Sequence, residues 1–231
     1  MPVLTPQLGR RQIITGITAL GAVAVAGALG MTALNARQKA IALKPGEMLP
    51  TPEQTEGPFY PKDWAGDSDA DLVKVLGEAA EAEGTITHVM GRVLDKHGNP
   101  LAGARVEIWQ CDAHGIYRHP NDETGGRHHD HGFQSRGRIL SSSDGRYAFR
   151  TIRPVAYPGR TPHIHFHIET AAGILLTTQM YVAGEPLNAR DGVLNGIADP
   201  RQRDAVTVRL DPASGLESGA LATTFDIVLW G

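Results

Sequence analysis

From residue 86 to the end of the chain, apolar positions recur at every second residue or in short unbroken runs, and turn signals separate them. Segments 86–94, 105–109, 138–142, 147–152, 163–169, 177–182, 206–210 and 225–230 carry this pattern, with turns such as His97-Gly98-Asn99-Pro100 and Ser143-Asp144-Gly145 between them. A period of two puts successive side chains on opposite faces of a strand. About eight such segments, with no long helical period, predict an all-β fold, a β-sandwich of about eight strands. Residues 43–84 are rich in Pro, Glu and Ala and lack a sustained period, which predicts an extended N-terminal arm with one helical turn near 72–76. The sandwich domain then runs over 85–231, and no internal repeat is present.

Residues 1–42 follow a different pattern. They contain Arg10, Arg11, Arg37 and Lys39, no acidic residue, and an uncharged stretch over 12–36 rich in Ala, Gly, Val, Leu and Ile. A basic start, an apolar middle and an Ala40-Ile41-Ala42 cleavage candidate make a signal segment, with an N-terminal membrane anchor as the alternative. The pair Arg10-Arg11 followed by Gln12, Ile13 and Ile14 resembles a twin-arginine export signal, in a looser form than usual. That implies the twin-arginine export machinery as a partner, a periplasmic or extracellular destination, and passage in the folded state with any cofactor already loaded.

Charge and cysteine content narrow the classes further. Without residues 1–42, 18 Lys and Arg face 25 Asp and Glu, a net charge of −7, which gives no support for nucleic-acid binding. Cys111 is the sole cysteine, so no intrachain disulfide forms. Stability must come from the core or from a metal.

The run Arg160-Thr161-Pro162-His163-Ile164-His165-Phe166-His167-Ile168-Glu169 carries the candidate chemistry. On a strand, His163, His165 and His167 share one face, and Ile164, Phe166 and Ile168 share the other. Three imidazoles in a row fit a solvated polar face, a metal site gripped by two of them, or a general base with a bystander. Two tyrosines, each of which alone reads as a packed or capping residue, together with HxH point to a metal: Tyr117 in Gly115-Ile116-Tyr117-Arg118-His119, and Tyr157 in Pro154-Val155-Ala156-Tyr157-Pro158, a loop just before the histidine strand. Two phenolates with two imidazoles form a hard, anionic oxygen and nitrogen set that suits ferric iron better than zinc. A bound Fe(III) would also hold each phenol ionised at neutral pH, far below its ordinary value near ~10.

Four segments in register carry a family resemblance: TPEQTEGPFY (51–60), VEIWQCDAHGIYRH (106–119), GRILSSSDGRYAFRTIRPVAYPGR (137–160) and TPHIHF (161–166). Together they resemble the intradiol ring-cleavage dioxygenases, of the protocatechuate 3,4-dioxygenase and catechol 1,2-dioxygenase type, over most of residues 51–231. The resemblance implies one Fe(III) per chain held by Tyr117, Tyr157, His163 and His165. It implies a catalytic Arg160 stabilising charge on the substrate, a Gln179 orienting it, and Tyr157 as the ligand that leaves and takes up a substrate proton. It further implies substrate contacts from Gly57, Pro58, Phe59, Trp109 and Arg160. The implied reaction inserts both atoms of O2 between the two hydroxylated carbons of a catechol-type aromatic, giving a cis,cis-muconate-type diacid.

This chain departs from the family pattern in two places. Only Pro158 and Gly159 separate Tyr157 from Arg160, where many relatives have a long insertion, so substrate specificity does not carry over. The helical N-terminal dimerisation segment of catechol 1,2-dioxygenases is absent too, so the chain resembles more the protocatechuate type or a secreted short form, as a homo-oligomer or with a partner subunit that completes the pocket. His167 matches no family ligand, and Arg127-His128-His129-Asp130-His131 reads as a solvated loop. Two rival readings remain. Segments 91–117 and 144–160 share the style of transthyretin-like sandwich modules, which bind without catalysis. A cupin also pairs HxH with a downstream Glu, here Glu169, but Gly159 and Gly173 lie too close to that motif and no histidine follows His167.

Overall fold

The computed structural model describes residues 40–122 and 128–230, all within one unit spanning 37–231. Ten strands form two sheets among these residues. The first is built around β1 (Ile86–Asp95), which pairs antiparallel with β4 (Arg146–Ile152) on one side and parallel with β9 (Leu221–Thr224) and β10 (Ile227–Leu229) on the other. The short β8 (Asp211–Pro212) extends it beyond β9. The second sheet has the order β3-β2-β5-β6-β7, with β2 Arg105–Trp109, β3 Arg136–Leu140, β5 His163–Glu169, β6 Leu175–Val182 and β7 Thr207–Val208. The all-β sandwich expected from the sequence is the fold observed.

Alternation assigns the faces. Val106, Ile108, Ile164, Phe166, Ile168 and Met180 of the second sheet are buried with Val89, Val93, Tyr147 and Phe149 of the first, in one hydrophobic cluster. Phe166 joins the layers, its ring 6.1 Å from that of Tyr147 and 5.1 Å from that of Phe225. The opposite face of β5, with its three histidines, therefore points away from the first sheet. The arm and two loops cover it instead.

Several expected elements shift. The strand expected at 138–142 starts at Arg136, and a Cβ at Gly137 would sit 2.3 Å from the Asp69 carbonyl oxygen, so this glycine admits the arm across β3 rather than marking a turn. The helical turn expected near 72–76 is not formed. Asp71 instead bridges Arg150, Leu72 and Val73 are buried against the sandwich, and turns at 72–73 and 76–77 take the place of a helical turn. The strand expected at 206–210 pairs only over β7, and β8 and β9 come from 211–224, where no pattern marked them. Three short turns of helix follow β6: a 3-10 turn at Pro186–Arg190, α1 at Gly192–Asn195 and α2 at Pro200–Ala205.

The Arg10-Arg11 signal segment lies outside the described residues except for its last three positions. There Ile41 N–H donates to Asp199 Oδ2 at 2.8 Å and the Ile41 carbonyl accepts from Arg201 Nη2 at 2.7 Å. Among the described residues no helix is long and apolar enough to cross a membrane.

Candidate metal centre

The outer face of β5 presents His163 and His165, each 1% exposed, with their Nε2 atoms 3.1 Å apart. The strand register sets Trp109 opposite His165 and Tyr181 opposite His163. Trp109 stacks flat on the His165 ring, with centroids 4.7 Å apart and an 8° interplanar angle, which fixes that imidazole from behind. His163 Nδ1 donates to the Thr161 carbonyl at 2.6 Å, which leaves a lone pair on Nε2. Burial first, and then the Arg160 cation, push the His163 pKa down to about 4. Burial, His163 and Arg160 also push His165 well below its ordinary value, so both imidazoles are neutral at physiological pH.

Each tyrosine arrives on a turn with a visible cause. After β2, Asp112 Oδ1 accepts from His114 N–H at 2.9 Å and Ile116 N–H at 3.0 Å, and Gly115 takes a positive φ of 76°. This tight turn brings Tyr117 back over the sheet, where its own N–H donates to Asp122 Oδ2 at 2.6 Å. Tyr157 opens a four-residue turn through Pro158 and Gly159, closed by Arg160 N–H donating to the Tyr157 carbonyl at 2.9 Å. Proline second and a glycine of φ 84° third give that turn its type II character.

The four rings converge: Tyr117 to Tyr157 at 5.4 Å, Tyr157 to His163 at 5.5 Å, and Tyr117 to His165 at 6.2 Å between centroids. Burial, then Cys111, then Tyr157 raise the Tyr117 phenol well above its ordinary pKa. Burial also raises Tyr157, opposed by Arg160. As they stand both phenols are protonated, yet the buried Tyr117 hydroxyl and the His165 Nδ1 have no hydrogen-bond partner. Unpaired buried polar groups are costly. A cation against both oxygens and both Nε2 atoms would satisfy the Tyr117 oxygen and ionise the phenols, so this donor set fits a hard metal ion. Among the described residues no group of three His, Cys, Asp or Glu could hold one. The tyrosines are what complete the set.

The remaining site candidates lie around these rings. Phe59 stacks on Tyr117 at 4.5 Å and meets Tyr157 edge-on at 6.1 Å. Gly57, at φ 71°, passes close enough that a Cβ would lie 3.5 Å from His165 Cε1. The Pro58 carbonyl accepts from Asn121 Nδ2 at 3.4 Å. Arg160 donates from Nη2 to Gln179 Oε1 and lies 3.5 Å from the Tyr157 hydroxyl through Nη1. Cys111 lies buried beside Trp109 and Tyr117, with burial pushing its thiol up to about 12.

Sequence reasoning missed the groups behind this shell. Gln179 is tied to the arm, its Nε2 donating to the Thr55 carbonyl at 2.9 Å and its N–H to Gln54 Oε1 at 3.1 Å. Tyr181 donates to Gln179 Oε1 at 3.0 Å and accepts from Gln54 Nε2 at 2.8 Å. Asp191, 1% exposed, accepts from Arg160 Nε at 2.9 Å. The only sequence signal for Asp191 was its place before a short apolar helical segment, a helix-cap position.

His167 stands apart from the four rings. Its Nδ1 pairs with Thr177 Oγ1 at 2.9 Å and its ring lies 5.9 Å from Tyr60. Arg127 of the histidine-rich loop lies outside the described residues, and the rings of His129 and His131 meet at a tilt of 51° with centroids 4.6 Å apart near its end.

Comparison with known proteins now bears on the arrangement. A family model described as dioxygenase matches residues 55–231, well over half of the chain. The chain belongs to the intradiol dioxygenase family. The protocatechuate 3,4-dioxygenase beta chain of Burkholderia cepacia is 37% identical over 195 residues, covering 80% of this chain and 82% of that one. Catechol 1,2-dioxygenase 1 of Acinetobacter lwoffii is 31% identical over 67% of this chain, which spans 52% of that longer protein. Among solved structures, the dioxygenase domain of a dioxygenase carbohydrate-binding protein fusion from Streptomyces sp. SirexAA-E aligns at a TM-score of 0.58 with 33% identity, covering 78% of this chain and 97% of that one. Membership in the intradiol dioxygenases makes the chain an oxidoreductase and replaces the cupin and transthyretin-like alternatives.

Proposed function

We propose that this chain is a non-haem Fe(III) intradiol dioxygenase that cleaves a catechol-type aromatic between its two hydroxylated carbons. The observation that carries the proposal is the pair of neutral imidazole nitrogens 3.1 Å apart, faced by two phenols of which one has a buried, unpartnered hydroxyl. Tyr117, Tyr157, His163 and His165 hold the iron in this reading. When bound, ferric iron supplies Lewis-acid activation of the catechol, so the reaction needs no external reductant. Both atoms of O2 end in the two new carboxyl groups of a cis,cis-muconate-type product.

The protein groups divide the remaining work. The Tyr157 oxygen takes one substrate proton, since it lies on the Tyr157–Arg160 turn outside β5 and is the less buried of the two phenols. Arg160 Nη1, beside that oxygen, stabilises negative charge developing on the ring. Gln179 holds Nη2 and so limits rotation of the guanidinium. Phe59 and the Gly57-Pro58 backbone shield the rings from water, which strengthens every charge interaction inside. Export by the twin-arginine route belongs to the same reading, and Arg10→Lys with Arg11→Lys should then leave an unprocessed precursor in the cytoplasm.

The test is metal analysis with a catechol panel under oxygen. One iron per chain, a visible phenolate-to-iron colour and a ring-opened diacid from at least one catechol are expected. A colourless protein carrying stoichiometric zinc overturns the assignment.

A further inference from the structure

Every nitrogen of the Arg160 guanidinium is engaged, and by different elements. Nε donates to Asp191 Oδ2 at 2.9 Å, Nη2 to Gln179 Oε1, and Nη1 lies 3.5 Å from the Tyr157 hydroxyl. A guanidinium is planar with its donors in a rigid fork, so fixing two corners fixes where the third points. Gln179 supplies one corner from β6. Asp191, from the segment before α1, supplies the other.

Asp191 is itself immobilised. Its Oδ1 accepts from the N–H groups of Val193 and Leu194, both at 2.9 Å, and its Oδ2 accepts from Thr161 N–H at 3.0 Å as well as from Arg160. Capping α1 uses only Oδ1. The second oxygen does nothing for that helix, and it is directed entirely at two consecutive residues of the segment leading into the histidine strand. The Asp191 side chain is 0% exposed and that of Arg160 14%, so the pair is charge-assisted in a largely dry setting.

We infer that Asp191 is a positioning residue for the reaction: anchored by three backbone amides, it aims Arg160 so that Nη1 faces the Tyr157 phenol oxygen. The inference rests on the proposed ring cleavage for its kinetic consequence, whereas the pairing itself does not.

Asp191→Asn is the discriminating variant. An asparagine retains the cap through Oδ1, but turns an amide NH2 toward Arg160 Nε–H and Thr161 N–H, donor against donor. In metal-free protein, the Arg160 Nε–H resonance, assigned by its disappearance in Arg160→Lys, should exchange with solvent at least about tenfold faster in Asp191→Asn than in wild type. In iron-loaded protein, kcat for the best catechol should fall about 10- to 100-fold while KM moves less than about threefold and iron content holds. Arg160→Ala with Asp191→Asn should have the kcat of Arg160→Ala alone, because the aim has no value without the group aimed. A wild-type kcat in Asp191→Asn, or multiplying losses in the double variant, overturns the inference. So does loss of iron or of the cooperative fold, because the Asp191 carboxylate would then hold the structure together rather than aim Arg160. If wild type cleaves no catechol, the proposed function fails, and the exchange rate of Arg160 Nε–H still tests whether Asp191 holds it.

Discussion

The two faces of β5 are buried to nearly the same depth and differ in what covers them. On the inner face Ile164, Phe166 and Ile168 are fully buried by the apolar side chains of the first sheet. On the outer face His163 and His165 are as deeply buried, under Trp109, Tyr117, Tyr157 and the Gly57-Phe59 segment. An apolar face asks of its cover only volume and shape. A polar face asks for a partner at every donor and acceptor, and here the cover leaves a hydroxyl and an imidazole nitrogen without one. That contrast teaches that burial depth does not locate function in this sandwich, and neither do unpartnered buried atoms alone, since Gln134 Oε1 and Ser135 Oγ lack partners too; what singles out this face is two phenols and two neutral imidazoles meeting over one unpartnered hydroxyl.

The sharpest break of the comparison exchanges the roles of the faces. His163→Ala or His165→Ala should cut bound metal at least tenfold and abolish turnover, since each removes one of only two nitrogen donors. Metal content by elemental analysis checks this, and retention of stoichiometric metal would mean the strand face was misread. On the other face, Phe166→Ala should cost about 3–5 kcal/mol of folding stability, read from denaturant midpoints of metal-free protein, because its ring bridges the two sheets. The histidine variants should lower the metal-free stability by less than Phe166→Ala does. If they lower it more, the outer face is a core in its own right.

A smaller effect separates the two tyrosines within the outer face. Tyr117 comes from a turn bonded through Asp112 and Asp122, and it is 4% exposed. Tyr157 is half-buried on the Pro158-Gly159 turn beside Arg160. Tyr157→Phe should retain some iron and slow anaerobic chelation of catechol about 10²-fold, as loss of a general base does. Tyr117→Phe should instead weaken iron itself and remove the phenolate colour that persists after substrate binds. Stopped-flow spectra of both variants decide, and chelation at the wild-type rate in Tyr157→Phe would remove its proton-acceptor role.

Strands whose apolar residues alternate cleanly were legible in the sequence: β1, β2, β4, β5 and β6 begin and end within two residues of their patterned segments. The short β8 and β9 were not, since neither owns an apolar run long enough to show a period. Leu72, Val73 and Leu76 mimic the spacing of the helical turn expected near 72–76, but tighter turns take its place, with Leu72 and Val73 buried against the sandwich and Leu76 exposed. The four rings of the site were legible from residue type and motif. The arm's grip on Gln179 and the Asp191 grip on Arg160 were not, because each joins residues from distant parts of the chain whose local patterns show only an arm and a helix cap.

The smallest expected effect belongs to His167, and it tests whether facing outward suffices. His167 shares its face with the two candidate ligands, yet the register puts it opposite Glu107 rather than Trp109. Its neighbours there are already partnered: the Glu107 carboxylate accepts from Tyr60 Oη at 2.8 Å and pairs with Arg105 Nε at 3.0 Å, and the imidazole reaches Thr177 Oγ1. No unpartnered oxygen faces this ring from Tyr60, whose phenol is pushed up to about 12 by burial and then by Glu107. His167→Ala therefore removes one half-buried hydrogen bond and part of an edge-on contact with Tyr60, worth about 1 kcal/mol of stability. Metal content, colour and turnover should stay within about twofold of wild type, because His167 meets Tyr60 and reaches His165 only through Tyr60 and Trp109. Elemental analysis beside a denaturation curve checks both halves. Metal loss equal to that of His165→Ala would extend the site along the strand, and the contrast would then run between whole faces rather than between partnered and unpartnered atoms.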